Sequence, residues 1–241
     1  MIIAAHRGLS SKAPENTLSA FLAAIKLGCS CIELDTHLSE DNIPVVIHDQ
    51  SVDRCTDGCG SVRDMSLTEL KKLDAGLWFG EAFRGERIPA LDEVLRLGVQ
   101  FNIQLNIELK CYHTADVTLT CEQVARVICS QNIPSELLLF SSFNTDMLRV
   151  MQLLLPDIRR GHLWDQIPEN ALDILHFLNA SSANCDYRFL TEKQTRQLKD
   201  AGYQVFCYTP NVPKLVAPLR KWGVDMLITD YPDRYFFPAS N

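Results

Sequence analysis

Polar and apolar residues alternate without interruption over residues 102–110. Every second position is aliphatic, and these positions are Ile103, Leu105, Ile107 and Leu109. The positions between them are polar, and the polar series ends at Glu108 and Lys110. A period of two predicts a β-strand with one apolar and one polar face. In a barrel the polar face would point inwards, and its last residues would reach the open rim where barrel enzymes do chemistry.

Short apolar runs alternate with segments of helical period along most of the chain. The predicted strands comprise residues 2–5, 31–36, 43–47, 102–110, 137–140, 158–161, 182–185, 203–208 and 225–229. The predicted helices comprise residues 18–28, 91–97, 116–130, 144–155, 191–202 and 212–223. Eight or nine strands in this order, within 241 residues, predict a TIM (β/α)8 barrel. An open doubly wound sheet is the alternative, although no glycine-rich nucleotide-binding motif follows the first strand.

Two features interrupt the simple strand–helix order. Only about six residues separate the second and third predicted strands, which is too short for a parallel crossover and predicts a hairpin. A turn centred between Asp41 and Asn42 would place His48 opposite Asp35. Residues 50–89 are rich in Gly, Asp and Arg, and are too few for an independent core. We therefore expect residues 1–241 to form one barrel domain with residues 50–89 as a small inserted lobe.

Ionisable residues cluster at the predicted ends of the strands. Glu33 and Asp35 share one strand face because they are two positions apart, and Glu108 faces the same way on another strand. Three converging carboxylates would repel one another, and a hard divalent cation such as Mg²⁺ or Ca²⁺ resolves this. Taken singly, each carboxylate is more often a rim or salt-bridge residue.

Cationic and titratable residues belong to the same predicted cluster. Arg7 and Lys110 supply positive charge for an oxyanion, although Lys110 could simply pair with Glu108. His6 and His48 titrate near neutral pH and can transfer protons. A divalent cation, the positively charged Arg7 and Lys110, and two histidines suit the hydrolysis of a phosphate ester better than redox or acyl chemistry.

Composition limits the classes of partner and the cellular compartment that we expect for this protein. The net charge of −7 and the lack of a long Lys/Arg cluster argue against nucleic-acid binding. No apolar stretch approaches the ~20 residues of a membrane helix, and the N-terminus lacks a secretory signal pattern. The nine cysteines are scattered and odd in number, which favours a reducing, cytoplasmic location. The pair Phe236-Phe237 is too short for a membrane anchor. The sequence leaves a monomer and a homodimer open.

The chain resembles the glycerophosphodiester phosphodiesterase family over almost its whole length, in the family's order and spacing. The matching segments include Ala5-His6-Arg7-Gly8, Ala13-Pro14-Glu15-Asn16-Thr17, Ile32-Glu33-Leu34-Asp35, Val46-Ile47-His48-Asp49, Asn106-Ile107-Glu108-Leu109-Lys110 and Thr229-Asp230-Tyr231-Pro232. The resemblance implies a TIM barrel with an inserted lobe. It also implies metal binding by Glu33, Asp35 and Glu108, acid–base catalysis by His6 and His48, and phosphate binding by Arg7 and Lys110.

One segment departs from the family pattern. Where the family has Trp-Thr-Val-Asn, this chain has Tyr208-Thr209-Pro210-Asn211. An aromatic ring is kept and the indole is lost, so the alcohol-side pocket changes shape if Tyr208 lines it. The alternative is that Tyr208 only fills the core.

The resemblance implies metal-dependent hydrolysis of small glycerophosphodiesters, such as glycerophosphocholine or glycerophosphoethanolamine, to glycerol 3-phosphate and an alcohol. Two other functions stay open. One is a related barrel enzyme that acts on lysophospholipids in a phospholipase D-like manner. The other is a barrel that binds a glycerophosphate ligand without catalysis.

Overall fold

The computed structural model describes residues 1–236. Phe237, the second residue of the apolar pair near the C-terminus, lies outside these residues. Nine strands are present in residues 1–236: β1 Ile2–His6, β2 Cys31–Leu38, β3 Pro44–Val46, β4 Gln104–Leu109, β5 Leu138–Ser142, β6 Arg159–Trp164, β7 Ser182–Asp186, β8 Gln204–Tyr208 and β9 Met226–Thr229. No helix in this part of the chain combines the length and apolar composition needed to cross a bilayer.

Eight of these strands form a closed parallel barrel. Strand β1 pairs with β2 on one side and with β9 on the other, so Ala4 lies between Cys31 and Ile228. The remaining neighbours follow the order β9-β8-β7-β6-β5-β4-β2. Strand β3 pairs antiparallel with β2 and lies outside this ring. The barrel prediction is therefore confirmed, and the open sheet is wrong because β1 joins the two ends.

Helices connect the parallel strands. Their bounds within the described residues are α1 Leu18–Leu27, α2 Leu67–Leu70, α3 Leu91–Phe101, α4 Val117–Gln131, α5 Thr145–Leu154, α6 Ala171–Phe177, α7 Glu192–Asp200, α8 Ala217–Trp222 and α9 Asp233–Phe236. The sequence signals for helix ends hold at α1. Thr17 accepts a hydrogen bond from the Ala20 amide, and Gly28 ends the helix at φ 94°. Capping boxes begin α2 at Ser66 and α7 at Thr191.

The alternation in β4 divides the barrel interior from its outer layer. Leu105, Ile107 and Leu109 are buried in the cluster between the barrel and its helices. Asn106 and Glu108 point inwards and are also buried. Below them, a second cluster of small and apolar side chains fills the barrel, comprising Ala4, Cys31, Leu139, Phe206, Met226 and Ile228. The polar layer therefore lies at the C-terminal ends of the strands.

The structure corrects the predicted boundary between α3 and β4. Helix α3 continues to Phe101, and Asn102 ends it with φ 51°, so the strand begins at Gln104 and not at residue 102. An asparagine tolerates this left-handed conformation, and its polar side chain also fits the alternating pattern.

The predicted register of the hairpin between β2 and β3 is wrong by one residue. Leu38 pairs with Pro44 and Thr36 with Val46, so the turn centres on Asp41, and His48 is not opposite Asp35.

The outer core predicts a large stability effect at one position. Phe140 is fully buried in the cluster between β5 and the helices. Replacing it with alanine should lower the free energy of unfolding by about 3–5 kcal/mol, because the cavity left behind cannot fully close. Urea denaturation measures this change. Phe177→Ala on α6, where the ring is 55% exposed, is the matched control and should cost far less.

Candidate active site

Three carboxylates meet at the C-terminal ends of β2 and β4. Asp35 and Glu108 are direct neighbours in the parallel pairing of β2 with β4. Glu33 is two residues before Asp35 on β2 and lies on the same face of that strand. All three are at least 91% buried, with exposed fractions of 3%, 0% and 9% for Glu33, Asp35 and Glu108. One oxygen from each lies within 4.8 Å of the others. The sequence prediction that these three residues converge is thus met in the fold.

The three carboxylates lie in surroundings that shift their pKa values in different directions. Burial, and then repulsion by Asp35, raise the pKa of Glu33 to about 8. The same two causes raise the pKa of Glu108. Burial acts in the same direction on Asp35, but Lys110 and Arg7 outweigh it and lower the pKa of that carboxyl. The site therefore has more carboxylate charge than its own cations compensate.

The donor set fits a hard divalent cation. Oε1 of Glu33 and Oδ1 of Asn106 are buried and accept no hydrogen bond from the described residues. Buried acceptors without donors are costly unless another group satisfies them. All available ligand atoms are oxygens, which suit Mg²⁺ or Ca²⁺ and not a soft metal. The acidic cluster can therefore hold such an ion.

Arg7 and Lys110 lie beside the carboxylates, as the sequence predicts. Nε of Arg7 is 3.2 Å from Oδ2 of Asp35, and its terminal nitrogen is 2.7 Å from Oε1 of Glu15. Nζ of Lys110 is 3.0 Å from Oδ1 of Asp35 and 2.5 Å from Oε1 of Glu108. The pairing of Lys110 with Glu108 is thus present, and Lys110 also contacts Asp35. Both cations line the cavity above the cluster.

The backbone after β1 turns sharply to place Arg7. Arg7 and Gly8 both have positive φ, at 55° and 83°. This conformation directs the Arg7 amide to Oε2 of Glu33 at 3.1 Å. A Cβ atom on Gly8 would lie 2.6 Å from the carbonyl carbon of Ala20. Glycine is therefore required here both for its conformation and for the close approach of α1.

Each histidine is oriented by a carboxylate on its Nδ1 side. Nδ1 of His6 is 2.6 Å from Oδ1 of Asp230. Asp230 also accepts hydrogen bonds from Asn211 at 2.6 Å and Ser10 at 3.2 Å. Nε2 of His6 is 3.9 Å from Glu33. Burial alone would lower the pKa of His6, but its hydrogen bond to Asp230 and the nearby Glu33 raise it.

His48 follows β3 and lines the same cavity. Its Nδ1 is 2.6 Å from Oδ1 of Asp49. The Tyr112 hydroxyl donates to the carbonyl of His48, and Nε2 of His37 donates to the carbonyl of Asp49 at 3.0 Å. Burial lowers the pKa of His48. With Nδ1 tied to a carboxylate in both His6 and His48, the two Nε2 atoms are left for the cavity.

The cavity has a volume of about 170 Å³, and its two sides differ in chemistry. The charged side carries the histidines, Arg7, Lys110 and the carboxylates. Phe143, Leu163 and Tyr208 form the other side. The rings of Phe143 and Tyr208 meet edge to face with centroids 6.1 Å apart, and the Tyr208 hydroxyl donates to the Trp164 carbonyl at 2.8 Å. Tyr208 therefore lines the cavity and is not only a core residue.

All eight residues singled out from the sequence lie in or beside this cavity. Sequence reasoning gave no role to Asp230, Asp49 or Tyr112. Asp230 follows the last strand directly, so the strand-end rule applied to Glu33 and Asp35 would have selected it. Asp49 and Tyr112 are in loops, and no local periodicity identifies them.

Comparison with known proteins gives concordant results. Residues 6–234 match the model of the glycerophosphoryl diester phosphodiesterase family. A glycerophosphodiester phosphodiesterase from Caldanaerobacter subterraneus subsp. tengcongensis is 37% identical over 232 residues, which cover 96% of this chain and 95% of that protein. An Oleispira antarctica phosphodiesterase, solved in complex with the product sn-glycerol-3-phosphate, superposes with a TM-score of 0.93 at 37% identity, covering 97% of this chain and 94% of that one. A Thermotoga maritima glycerophosphodiester phosphodiesterase gives a TM-score of 0.79 at 28% identity, covering 98% and 97%.

Proposed function

The chain belongs to the glycerophosphoryl diester phosphodiesterase family and is an enzyme of that activity, and we propose that it acts on small glycerophosphodiesters with the help of a divalent cation. Glycerophosphocholine and glycerophosphoethanolamine are the proposed substrates, and sn-glycerol 3-phosphate and an alcohol are the products. The observation that carries this proposal is the meeting of three buried carboxylates and two carboxylate-oriented histidines at one cavity.

Glu33, Asp35 and Glu108 would hold the cation, which we propose to be Mg²⁺ or Ca²⁺. When bound, such an ion supplies a Lewis acid for the phosphate and orients the substrate. Buried contacts hold these carboxylates in place: Asn16 donates to Oδ2 of Asp35 at 2.9 Å, and the Arg7 amide donates to Oε2 of Glu33 at 3.1 Å. Burial and repulsion by Asp35 raise the pKa of Glu33 and of Glu108, and a bound cation would relieve this repulsion.

His6 and His48 are the proposed acid–base pair. One removes a proton from the nucleophile, which is either water or a neighbouring hydroxyl of the substrate. Attack by the hydroxyl gives a cyclic phosphate, which water must then open to give sn-glycerol 3-phosphate. The other donates a proton to the leaving alkoxide, so that the P–O bond breaks without releasing a strong base. Asp230 and Asp49 fix the tautomer by accepting a hydrogen bond from the Nδ1–H group, which leaves Nε2 as the atom that exchanges protons in each ring.

Arg7 and Lys110 are the proposed phosphate-binding residues. Each already contacts carboxylates, but a guanidinium carries five N–H donors and an ammonium carries three. The contacts with Asp35 and Glu15 therefore fix the side chains and leave further donors for phosphate oxygens. A rigid guanidinium fork suits two such oxygens at once.

Tyr208 is the proposed binding residue on the alcohol side. Replacing it with alanine removes an aromatic wall and its edge-to-face contact with Phe143. We expect kcat/KM for glycerophosphocholine to fall by about 10-fold, mainly through a higher KM, because contacts of this kind contribute roughly 0.5–1.5 kcal/mol beyond buried area. Steady-state kinetics at fixed cation concentration measure this change. An unchanged KM would remove Tyr208 from the substrate pocket.

The cavity favours deacylated substrates over lysophospholipids. Its volume of about 170 Å³ is below the roughly 300–1,000 Å³ of typical pockets for larger ligands. A binding-only barrel is disfavoured because both histidines and all three carboxylates are present in the site. Turnover of glycerophosphocholine and of lysophosphatidylcholine can be compared at equal concentration. Faster turnover of the lysophospholipid would overturn the substrate assignment.

We propose a cytoplasmic location for the enzyme and treat residues 50–89 as a lobe of a single barrel domain. The nine cysteines are all unpaired, which fits a reducing compartment. Apolar residues of the lobe and of the β3 region form one small buried cluster, which comprises Val45, Ile47, Val52, Val62, Leu70, Ala75 and Ile88. This cluster is continuous with the barrel through Val45 and Ile47. The small-molecule substrate is the only partner that we propose.

A further inference from the structure

We propose that Arg54, a residue of the inserted lobe, is the positioning residue that fixes His48 for catalysis through Asp49. The inference rests on the proposed role of His48 and extends it to a group that does not line the cavity. Arg54 lies outside the barrel strands, in the segment between β3 and α2. The lobe thereby acquires a function in catalysis beyond shaping the rim.

Asp49 is shared between Arg54 and His48, one oxygen for each. Oδ1 of Asp49 is 2.6 Å from Nδ1 of His48, and Oδ2 accepts the Nε–H of Arg54 at 2.6 Å. A carboxylate bound at one oxygen only can still rotate about its own bonds. With both oxygens engaged, Asp49 has one orientation, and the imidazole that it binds shares that constraint.

Arg54 is itself anchored by a second carboxylate. Its two terminal nitrogens donate to the two oxygens of Glu15, each at 2.8 Å. This bidentate geometry uses the planar fork of the guanidinium, while the Nε–H remains available for Asp49. Glu15 is largely buried, with a side-chain exposure of 14%, and precedes α1 on the barrel. Arg54 therefore ties the lobe segment after His48 to the body of the barrel.

Glu15 also connects Arg54 to the carboxylate cluster through Arg7. Oε1 of Glu15 also contacts Arg7 at 2.7 Å, and Arg7 contacts Asp35 at 3.2 Å. An unbroken series of charged contacts therefore runs from His48 through Asp49, Arg54, Glu15 and Arg7 to Asp35. Within this series, Arg54 holds the carboxylate that binds the ring. The hydrogen bond from Arg54 also lowers the pKa of Asp49 to about 2, so the carboxylate stays ionised and accepts a hydrogen bond from Nδ1–H of His48.

A double-mutant cycle separates positioning from a general structural effect. Arg54→Gln should lower kcat by about 10- to 100-fold with little change in KM or cation affinity, since carboxylates that orient histidines have effects of this size. Asp49→Ala should lower kcat similarly. If Arg54 acts through Asp49, the double variant should be no slower than Asp49→Ala alone. Independent multiplication of the two losses, or wild-type kcat in Arg54→Gln, would overturn the inference.

Two further measurements guard against misfolding and against failure of the proposed function. Arg84→Gln removes an exposed arginine that pairs with Glu81 on the same lobe, and should keep wild-type kcat. Thermal unfolding shows whether Arg54→Gln is folded. Independently of turnover, the Nδ1 proton of His48 should give a hydrogen-bonded NMR signal that is absent in His48→Ala and is lost or shifted in Arg54→Gln. An unchanged signal would contradict the positioning role, whereas a wild-type enzyme with no turnover would contradict only the proposed function.

Discussion

Replacing His48 with alanine is expected to lower kcat for glycerophosphocholine by roughly 10²- to 10⁴-fold, the range typical for loss of a general acid or base. The imidazole is held by Asp49, and its Nε2 is free to exchange protons in the cavity. The cation site should keep its affinity, because no carboxylate of the acidic cluster is removed. Single-turnover kinetics, which isolate the chemical step, measure the effect.

His176 provides the matched control for this substitution. It lies on α6, is exposed, and is far from the cavity lining. His176→Ala should therefore keep wild-type kcat. If His48→Ala retained activity within a few-fold of the wild type while the protein stayed folded, His48 would not be a catalytic acid or base.

Replacing Glu33 with glutamine is expected to have two opposite effects. It should lower cation-dependent turnover by more than about 100-fold, because a metal contributes several kcal/mol to transition-state stabilisation. It should also stabilise the metal-free protein at alkaline pH. The pKa of Glu33 rises from its ordinary value of 4.5 to about 8 on folding, so the folded protein holds this proton more tightly than the unfolded chain. The bound proton therefore contributes stability to the folded protein that is fully present below about pH 4.5 and is lost as the pH rises towards about 8. The Glu33→Gln variant has a neutral side chain at every pH and does not lose this stability.

Thermal unfolding with a chelator and with added Mg²⁺ or Ca²⁺ tests both effects. At pH 8 and without metal, Tm of Glu33→Gln should exceed that of the wild type, and added cation should raise Tm only in the wild type. Glu69→Gln, at an exposed position on the lobe, serves as the control. A cation-induced rise of equal size in Glu33→Gln and in the wild type would show that the ion binds elsewhere.

Local patterns predicted much of the barrel because each parallel strand is short and bounded by clear helix signals. The alternation around Ile107 identified both faces of β4, and the spacing of Glu33 and Asp35 identified a shared face on β2. The error at Asn102 arose because a helix-ending asparagine is polar and fits a strand pattern equally well. The register error at His48 arose because the sequence does not show how many residues a turn contains.

The groups that position the proposed catalytic residue His48 were less accessible to sequence reasoning. Asp49 and Arg54 are near His48 in the chain, but their pairing depends on Glu15, which is 39 residues from Arg54. Tyr112 reaches the carbonyl of His48 from a loop that is 64 residues away. Such contacts depend on the closed barrel and on loop geometry, neither of which has a periodic signature. Their discovery required the three-dimensional structure.

The lobe between β3 and α3 therefore contributes differently from the barrel. The barrel strands carry the carboxylates at fixed positions, whereas the lobe supplies contacts to the segment that bears His48. Residues on rigid strands retain their geometry when a loop moves, while His48 lies beyond the end of β3 and depends on side-chain contacts. Substitution of Arg54 should therefore affect kcat more than cation affinity.

Cation-dependent hydrolysis of a glycerophosphodiester can be measured with the purified protein in a single assay. Purified protein is incubated with glycerophosphocholine and with Mg²⁺, with Ca²⁺ or with a chelator, and the release of sn-glycerol 3-phosphate is measured. We expect release with at least one of the two cations and none with the chelator. Undiminished release in the presence of the chelator, or no release from a folded protein that binds the cation, would contradict it.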